Sequence, residues 1–123
     1  MKLVFICNYG QNRSPTAARL AEEIGEEFCL GVKTSYMGLF PIDTKKNELK
    51  KRQVLKEADR IFIMTEDMRA IVISRYNSFS DKIICLNVED EYDIHGLAGS
   101  KMREMLERDL RLKLIPYINN REY

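Results

Sequence analysis

The stretch VFICNYGQNRSPTAARL, residues 4–20, joins an apolar run to a polar loop and then to a helical pattern. The apolar run that ends at Cys7 is typical of a strand buried on both faces of a parallel sheet. Pro15 suits the first turn of a helix, because the N–H that it lacks would have no partner there. The stretch therefore predicts a strand, a tight loop and a helix, with Cys7 where the strand ends.

The loop has the composition of an anion-binding site. The first N–H groups of the helix point back into the loop, and Gly10 can adopt the positive φ that turns successive N–H groups inward. Arg13 adds a planar fork that can bind two oxygens of a phosphate or a similar oxyanion. Because donors that hold an oxyanion also stabilise a thiolate, Cys7 is a candidate nucleophile, and the Ser14 hydroxyl can donate to its sulfur.

Short apolar runs alternate with helical patterns along the rest of the 123 residues. Ser100 is expected to cap the last helix, and Pro116 is expected to kink or end it. Strands that alternate with helices predict right-handed βαβ units and a parallel sheet, in a single domain that spans residues 1–123. Further strands are predicted at 32–37, 59–65 and 82–88, and further helices at 44–58, 66–76 and 101–114.

The acidic run EDEYD, residues 89–93, follows the last predicted strand. In open parallel sheets, ligands bind at the carboxyl ends of the strands. The loops after the first and fourth strands both lie on that edge. We therefore expect Cys7 and the acidic run to face the same side.

Composition excludes several classes of function. Twenty basic residues against nineteen acidic ones leave a net charge of +1, which is too small to attract nucleic acid or a membrane surface. No apolar run approaches the roughly 18 residues of a membrane span. Three widely spaced cysteines and one histidine indicate a reducing cytoplasm, with neither a disulfide scaffold nor a zinc site. Cys29 and Cys85 are expected to be buried apolar side chains.

The pattern Cys-x5-Arg-Ser-Pro directly after the first strand resembles the signature of the low-molecular-weight protein tyrosine phosphatases. KEADRIFIMTEDMR is similar to that family's third strand and the helix after it, and LNVEDEYD is similar to its acidic loop. The resemblance covers most of the chain. It implies a three-layer α/β/α fold, with a four-stranded parallel sheet in the order 2-1-3-4, and hydrolysis of a phosphomonoester through a phosphocysteine.

The resemblance also implies a role for each matching residue. Cys7 is the nucleophile, Arg13 binds the phosphate, Ser14 lies beside the thiolate and Asp90 is the general acid, with Asp93 as the alternative. The expected substrate is a phosphorylated protein or a small phosphomonoester, and the family resemblance favours phosphotyrosine. The resemblance implies no cofactor or metal. It leaves the oligomeric state open. Substrate contacts are assigned to Asn8, Tyr9, Gly10, Gln11, Asn12 and Tyr92.

Two positions depart from the family pattern. Asn12 stands where many members have a second cysteine that protects the nucleophile, and Glu91 stands where the acidic loop usually has proline. The aromatic loop that usually walls the pocket is shortened. These departures leave the substrate preference open.

Other functions remain as alternatives. A thiol-coupled arsenate reductase on the same fold would need two more cysteines to relay a disulfide. A phosphocarrier on a similar scaffold generally lacks the loop arginine, and a phosphate-binding interaction module would have lost the nucleophile or the acid.

His95 is either a solvated loop residue or a residue that assists at the site. The basic run KKNELKKR, residues 45–52, is either a solvated helix face or a guide for an acidic phosphopeptide.

Overall fold

A computed structural model of the chain describes residues 1–8, 13–40, 44–88 and 99–119, with side chains in the last range from residue 103 onward. Within these ranges, four strands form one parallel sheet in the order β2-β1-β3-β4, which confirms the predicted α/β sheet. The strands are β1 (Lys2–Cys7), β2 (Lys33–Gly38), β3 (Arg60–Ile63) and β4 (Ile83–Cys85). The helices are α1 (Arg13–Glu27), α2 (Lys45–Glu57), α3 (Glu66–Tyr76) and α4 (Gly99–Ile118), and a 3-10 helix (Asn77–Lys82) precedes β4.

Strand β1 lies at the centre of the core. Its residues are buried from Leu3 to Cys7, as expected for a strand covered on both faces. Phe5 stacks on Phe62 of the neighbouring β3, with ring centroids 5.1 Å apart. Because β1 pairs with β2 on one side and β3 on the other, its carboxyl end lies where the connections leave in opposite directions, the usual position of a ligand site in such sheets.

Helices cover both faces of the sheet. Helix α1 packs against α4, and an ion pair joins Arg19 to Glu107 between them. Helices α2 and α3 are neighbours, since the Tyr76 hydroxyl donates to Glu48 Oε2 at 2.7 Å. None of the helices in the described ranges combines the length with the apolar character that crossing a membrane requires.

Helix α4 differs from two expectations. Of the two outcomes expected at Pro116, an end of the helix is wrong, because α4 continues to Ile118. Tertiary packing explains the continuation, because the Tyr117 ring lies edge-on to Phe62 at 5.5 Å and Ile118 is buried. The helix also begins one residue before Ser100, so Ser100 lies inside the first turn rather than ahead of it.

Candidate active site

Cys7 is the last residue of β1, and only 3% of its surface is exposed. Its carbonyl accepts a hydrogen bond from Leu39 N at 2.9 Å, and the carbonyl of half-buried Asn8 accepts one from Phe40 N at 2.7 Å. The pairing between β1 and β2 thus continues past both strands. The chain therefore enters the loop after Cys7 with its backbone held firmly on one side.

Arg13 and Ser14 begin α1, and both are almost fully buried, at 1% and 0% exposure. The Ser14 hydroxyl has no hydrogen-bond partner among the described residues. Leaving a buried hydroxyl without a partner costs about 1–3 kcal/mol. Such a cost is expected where the hydroxyl serves a reacting group, and the sequence motif makes the Cys7 sulfur the candidate.

Arg13 joins the two loops at this edge of the sheet. Its Nη1 donates to the Val88 carbonyl at 2.9 Å, across 75 residues of sequence. Asn87 has a φ of 56°, a left-handed conformation that asparagine tolerates, and it redirects the chain after β4. Val88 N then donates to Met64 O at 2.6 Å, just beyond the end of β3. The segment directly before the acidic run therefore crosses the end of β3 and reaches the arginine beside β1.

Several predicted site residues lie outside the described residues. The structure thus describes the ends of both loops and not the loops themselves. The roles of these residues remain predictions: Tyr9, Gly10, Gln11, Asn12, Asp90, Tyr92 and, from the alternatives, Asp93 and His95.

Solved structures with the same architecture align with nearly the whole chain. No family model and no curated protein matches the sequence. A YwlE mutant from Bacillus subtilis is 23% identical, with a TM-score of 0.72 over 97% of this chain and 99% of that one. A YwlE arginine phosphatase in which serine replaces a cysteine, and whose active-site serine is phosphorylated, is 23% identical, with a TM-score of 0.69 over 99% of this chain and 98% of that one. A low-molecular-weight phosphotyrosine phosphatase from Vibrio cholerae O395 is 15% identical, with a TM-score of 0.74 over 100% and 99%. The chain has the fold of the low-molecular-weight protein tyrosine phosphatases.

On this phosphatase fold, the segment after β2 hydrogen-bonds to Cys7 and Asn8 and is held by contacts that the sequence did not predict. Arg75 Nη1 of α3 donates to the Leu39 carbonyl at 2.7 Å, and its guanidinium lies 5.4 Å from the centroid of the Phe40 ring. Lys51 Nζ lies 3.4 Å from the Gly38 carbonyl. Two cations therefore hold the backbone that hydrogen-bonds to Cys7 and Asn8. A sequence feature that could have indicated this segment is Phe40, an aromatic residue just past the carboxyl end of β2.

A lysine of α4 holds the chain before the acidic run, and sequence reasoning missed it too. Lys113 Nζ donates to the Asn87 carbonyl at 2.6 Å and to Asp109 Oδ2 at 3.1 Å. Asn87 is therefore fixed from the side of α4, and Val88 is fixed by Arg13 and Met64. The chain directly before the acidic run is thus held by Arg13 of α1, Met64 just after β3 and Lys113 of α4.

The other two cysteines differ from Cys7 in their surroundings. Cys29 is exposed, so the expectation that it is buried is wrong; it has a φ of 56° just after α1, where the chain turns away from the helix. Cys85 is half-buried. Burial, with a smaller contribution from nearby Glu66, raises the pKa of the Cys85 thiol. The raised pKa disfavours a reactive thiolate at Cys85. Cys29 follows the opposite end of α1 from Arg13.

Proposed function

We propose that the protein is a cysteine-dependent phosphomonoester hydrolase that acts on phosphotyrosine in proteins. The observation that carries the proposal is the corner formed by Cys7, Arg13 and Ser14, in which a buried guanidinium and a buried hydroxyl without a described partner begin the helix that follows the nucleophile's strand. The attacking group, the phosphate-binding fork and the proton donors are all side chains. A thiolate nucleophile must stay reduced, so we place the protein in the cytoplasm.

The proposed reaction has two steps. In the first, the Cys7 thiolate attacks phosphorus, the bond from phosphorus to the substrate oxygen breaks, and Asp90 gives its proton to that oxygen. Arg13 has five N–H donors, so its bond to the Val88 carbonyl is compatible with a two-point grip on the transferred group. In the second step, Asp90 takes a proton from water, the water oxygen attacks phosphorus, and the S–P bond breaks as Ser14 donates to the departing sulfur.

The structural neighbours support the covalent step and add a second candidate substrate. In the YwlE arginine phosphatase variant, the active-site serine is phosphorylated, which is the product expected when a nucleophile takes the phosphoryl group and cannot release it. That protein's description as an arginine phosphatase favours phosphoarginine as the second candidate here. The same nucleophile would then break a P–N bond instead of a P–O bond.

Geometry argues against the arsenate reductase alternative. Cys85 ends β4, two strands away from β1, and strands in a sheet are about 4.8 Å apart, so the Cα atoms of Cys7 and Cys85 lie about 10 Å apart. A disulfide requires Cα atoms within about 7 Å. Cys29 lies beyond the far end of α1, which is 15 residues and therefore about 22 Å long. A disulfide relay from Cys7 to either cysteine would require large backbone movements.

A substrate panel tests the proposal. Peptides of one sequence that carry phosphotyrosine, phosphoarginine or phosphoserine are compared with p-nitrophenyl phosphate. We expect kcat/KM for phosphotyrosine to exceed the other two peptides by at least about tenfold, a difference of about 1.4 kcal/mol in transition-state binding, and vanadate to inhibit competitively. A higher kcat/KM for the phosphoarginine peptide would make phosphoarginine the substrate and leave the mechanism unchanged. A folded protein that turns over none of the four compounds would overturn the proposal.

Arg75→Gln is expected to raise KM for the phosphotyrosine peptide by about three- to tenfold and to change kcat less. The reason is that Arg75 contacts both the Leu39 carbonyl and the Phe40 ring, and contacts of these kinds are worth about 1–2 kcal/mol together. The measurement is steady-state kinetics alongside the melting temperature.

Arg69→Gln is the matched control for Arg75→Gln. Arg69 lies on the same helix, and its described ion pair is with Glu66, away from the segment after β2. We expect its KM to stay at the wild-type value. If both variants raise KM equally, or if Arg75→Gln lowers only the melting temperature, Arg75 does not position the substrate side of the site.

A further inference from the structure

Positive charge is concentrated on α2. This helix has six basic residues against two acidic ones, a net charge of +4. Because the whole chain has a net charge of +1, all the other residues together carry −3. The near-neutral total therefore conceals a strongly basic surface in one place.

Five of the six basic residues of α2 fall into two groups. Lys51 and Arg52 turn toward the protein, where they contact the Gly38 and Arg75 carbonyls. A second group is exposed, and none of its members forms an ion pair with a described residue. This group consists of Lys45, Lys46 and Lys50.

An exposed apolar side chain lies among these lysines. Leu49 is 61% exposed, three residues after Lys46 and one before Lys50, so the three share the outward side of the helix. We call Lys45, Lys46, Leu49 and Lys50 the outer face of α2. Exposed lysines attract carboxylates, so the outer face fits an acidic segment, and Leu49 can add an apolar contact.

The outer face lies close to the candidate active site. Lys51, the next residue along the helix, contacts the Gly38 carbonyl at 3.4 Å, and Gly38 is the register partner of Cys7 in the sheet. Adjacent strands are about 4.8 Å apart and a helix with its side chains is about 10 Å thick, which puts the outer face within about 20 Å of Cys7. An extended peptide covers that distance in about six residues.

We propose that the outer face of α2 binds an acidic segment of the protein substrate, four to six residues from the phosphorylated residue. This proposal rests on the proposed phosphatase function and adds the substrate's flanking sequence to it. The charge of the surface, the absence of ion pairs between it and the described residues, and its distance from Cys7 all match such a segment. A small phosphomonoester cannot reach the surface, so its turnover is independent of it.

The test compares two phosphotyrosine peptides of equal length. One carries two glutamates and a leucine at the positions four to six residues from the phosphotyrosine, and the other carries glutamines in place of the glutamates. We expect wild-type KM to be about three- to tenfold lower for the acidic peptide at low salt, because each exposed ion pair adds a small favourable contribution to binding. The difference should shrink in 0.5 M salt.

Two double variants of equal charge locate the effect. Lys46→Glu with Lys50→Glu is expected to abolish the preference and to leave p-nitrophenyl phosphate turnover unchanged. Lys2→Glu with Lys33→Glu changes the charge equally at the amino ends of β1 and β2, on the opposite edge of the sheet, and should keep the preference. No preference in the wild-type protein, or equal loss in both variants, would overturn the docking proposal. Absence of p-nitrophenyl phosphate turnover in the wild type would instead count against the phosphatase function.

Discussion

Cys7→Ser is expected to lower kcat for p-nitrophenyl phosphate on the order of 10⁴-fold or more, the scale seen when an enzyme loses its nucleophile. A serine hydroxyl stays protonated where a thiol can ionise, so the attacking electron pair is lost. The buried Arg13 and the start of α1 are untouched, so binding of vanadate or phosphate should persist within a few-fold of the wild type. Kinetics, calorimetry and mass spectrometry for phosphate trapped on the serine check these outcomes together.

The other two cysteines provide the controls for this result. Cys29→Ser changes an exposed side chain and should leave kcat at the wild-type value. Cys85→Ala removes a half-buried side chain, so it should cost about 1 kcal/mol of unfolding free energy while turnover remains. Activity of Cys7→Ser within tenfold of the wild type would contradict the nucleophile assignment. A disulfide between Cys7 and Cys85, detected after oxidation, would revive the reductase alternative.

Elements with a strong local pattern were predictable from the sequence. The helix predicted at 66–76 coincides with α3, because the spacing of Met68, Val72 and Tyr76 matches the face that is buried. The apolar run that ends at Cys7 predicted a strand buried on both faces of the sheet, and β1 is buried in this way. The end of α4 was not predictable, since the sequence shows the proline but not the aromatic contact between Tyr117 and Phe62 that favours continuation.

The candidate site also has a part that could be predicted from the sequence and a part that could not. Cys7, Arg13 and Ser14 were predicted because they belong to one short motif whose physical logic is local. The contacts that hold the motif in place span far more sequence: 75 residues from Arg13 to Val88, 36 from Leu39 to Arg75 and 26 from Asn87 to Lys113. A cation that binds a backbone carbonyl needs no particular side chain on its partner, so such pairs leave no readable pattern in one sequence.

The proposed general acid is the remaining component of the mechanism. The phenol of tyrosine has a pKa near 10. Its phenolate therefore leaves phosphorus slowly unless it receives a proton as the bond breaks. Asp90 is the proposed acid because DEY, residues 90–92, matches the family pattern of an acid followed two positions later by tyrosine, and Asp93 is the alternative.

Asp90→Asn is therefore expected to lower kcat for a phosphotyrosine peptide by about 10²–10⁴, the usual effect of losing a general acid. The loss should be smaller for p-nitrophenyl phosphate, because its leaving group needs less protonation. An acid works only while it holds its proton, so the fall in kcat at high pH should flatten in the variant. Asp93→Asn is the matched control and should keep the fall in kcat at high pH. If Asp93→Asn shows the losses and Asp90→Asn does not, the acid is Asp93; if neither variant loses activity, the leaving group is not protonated from this acidic run.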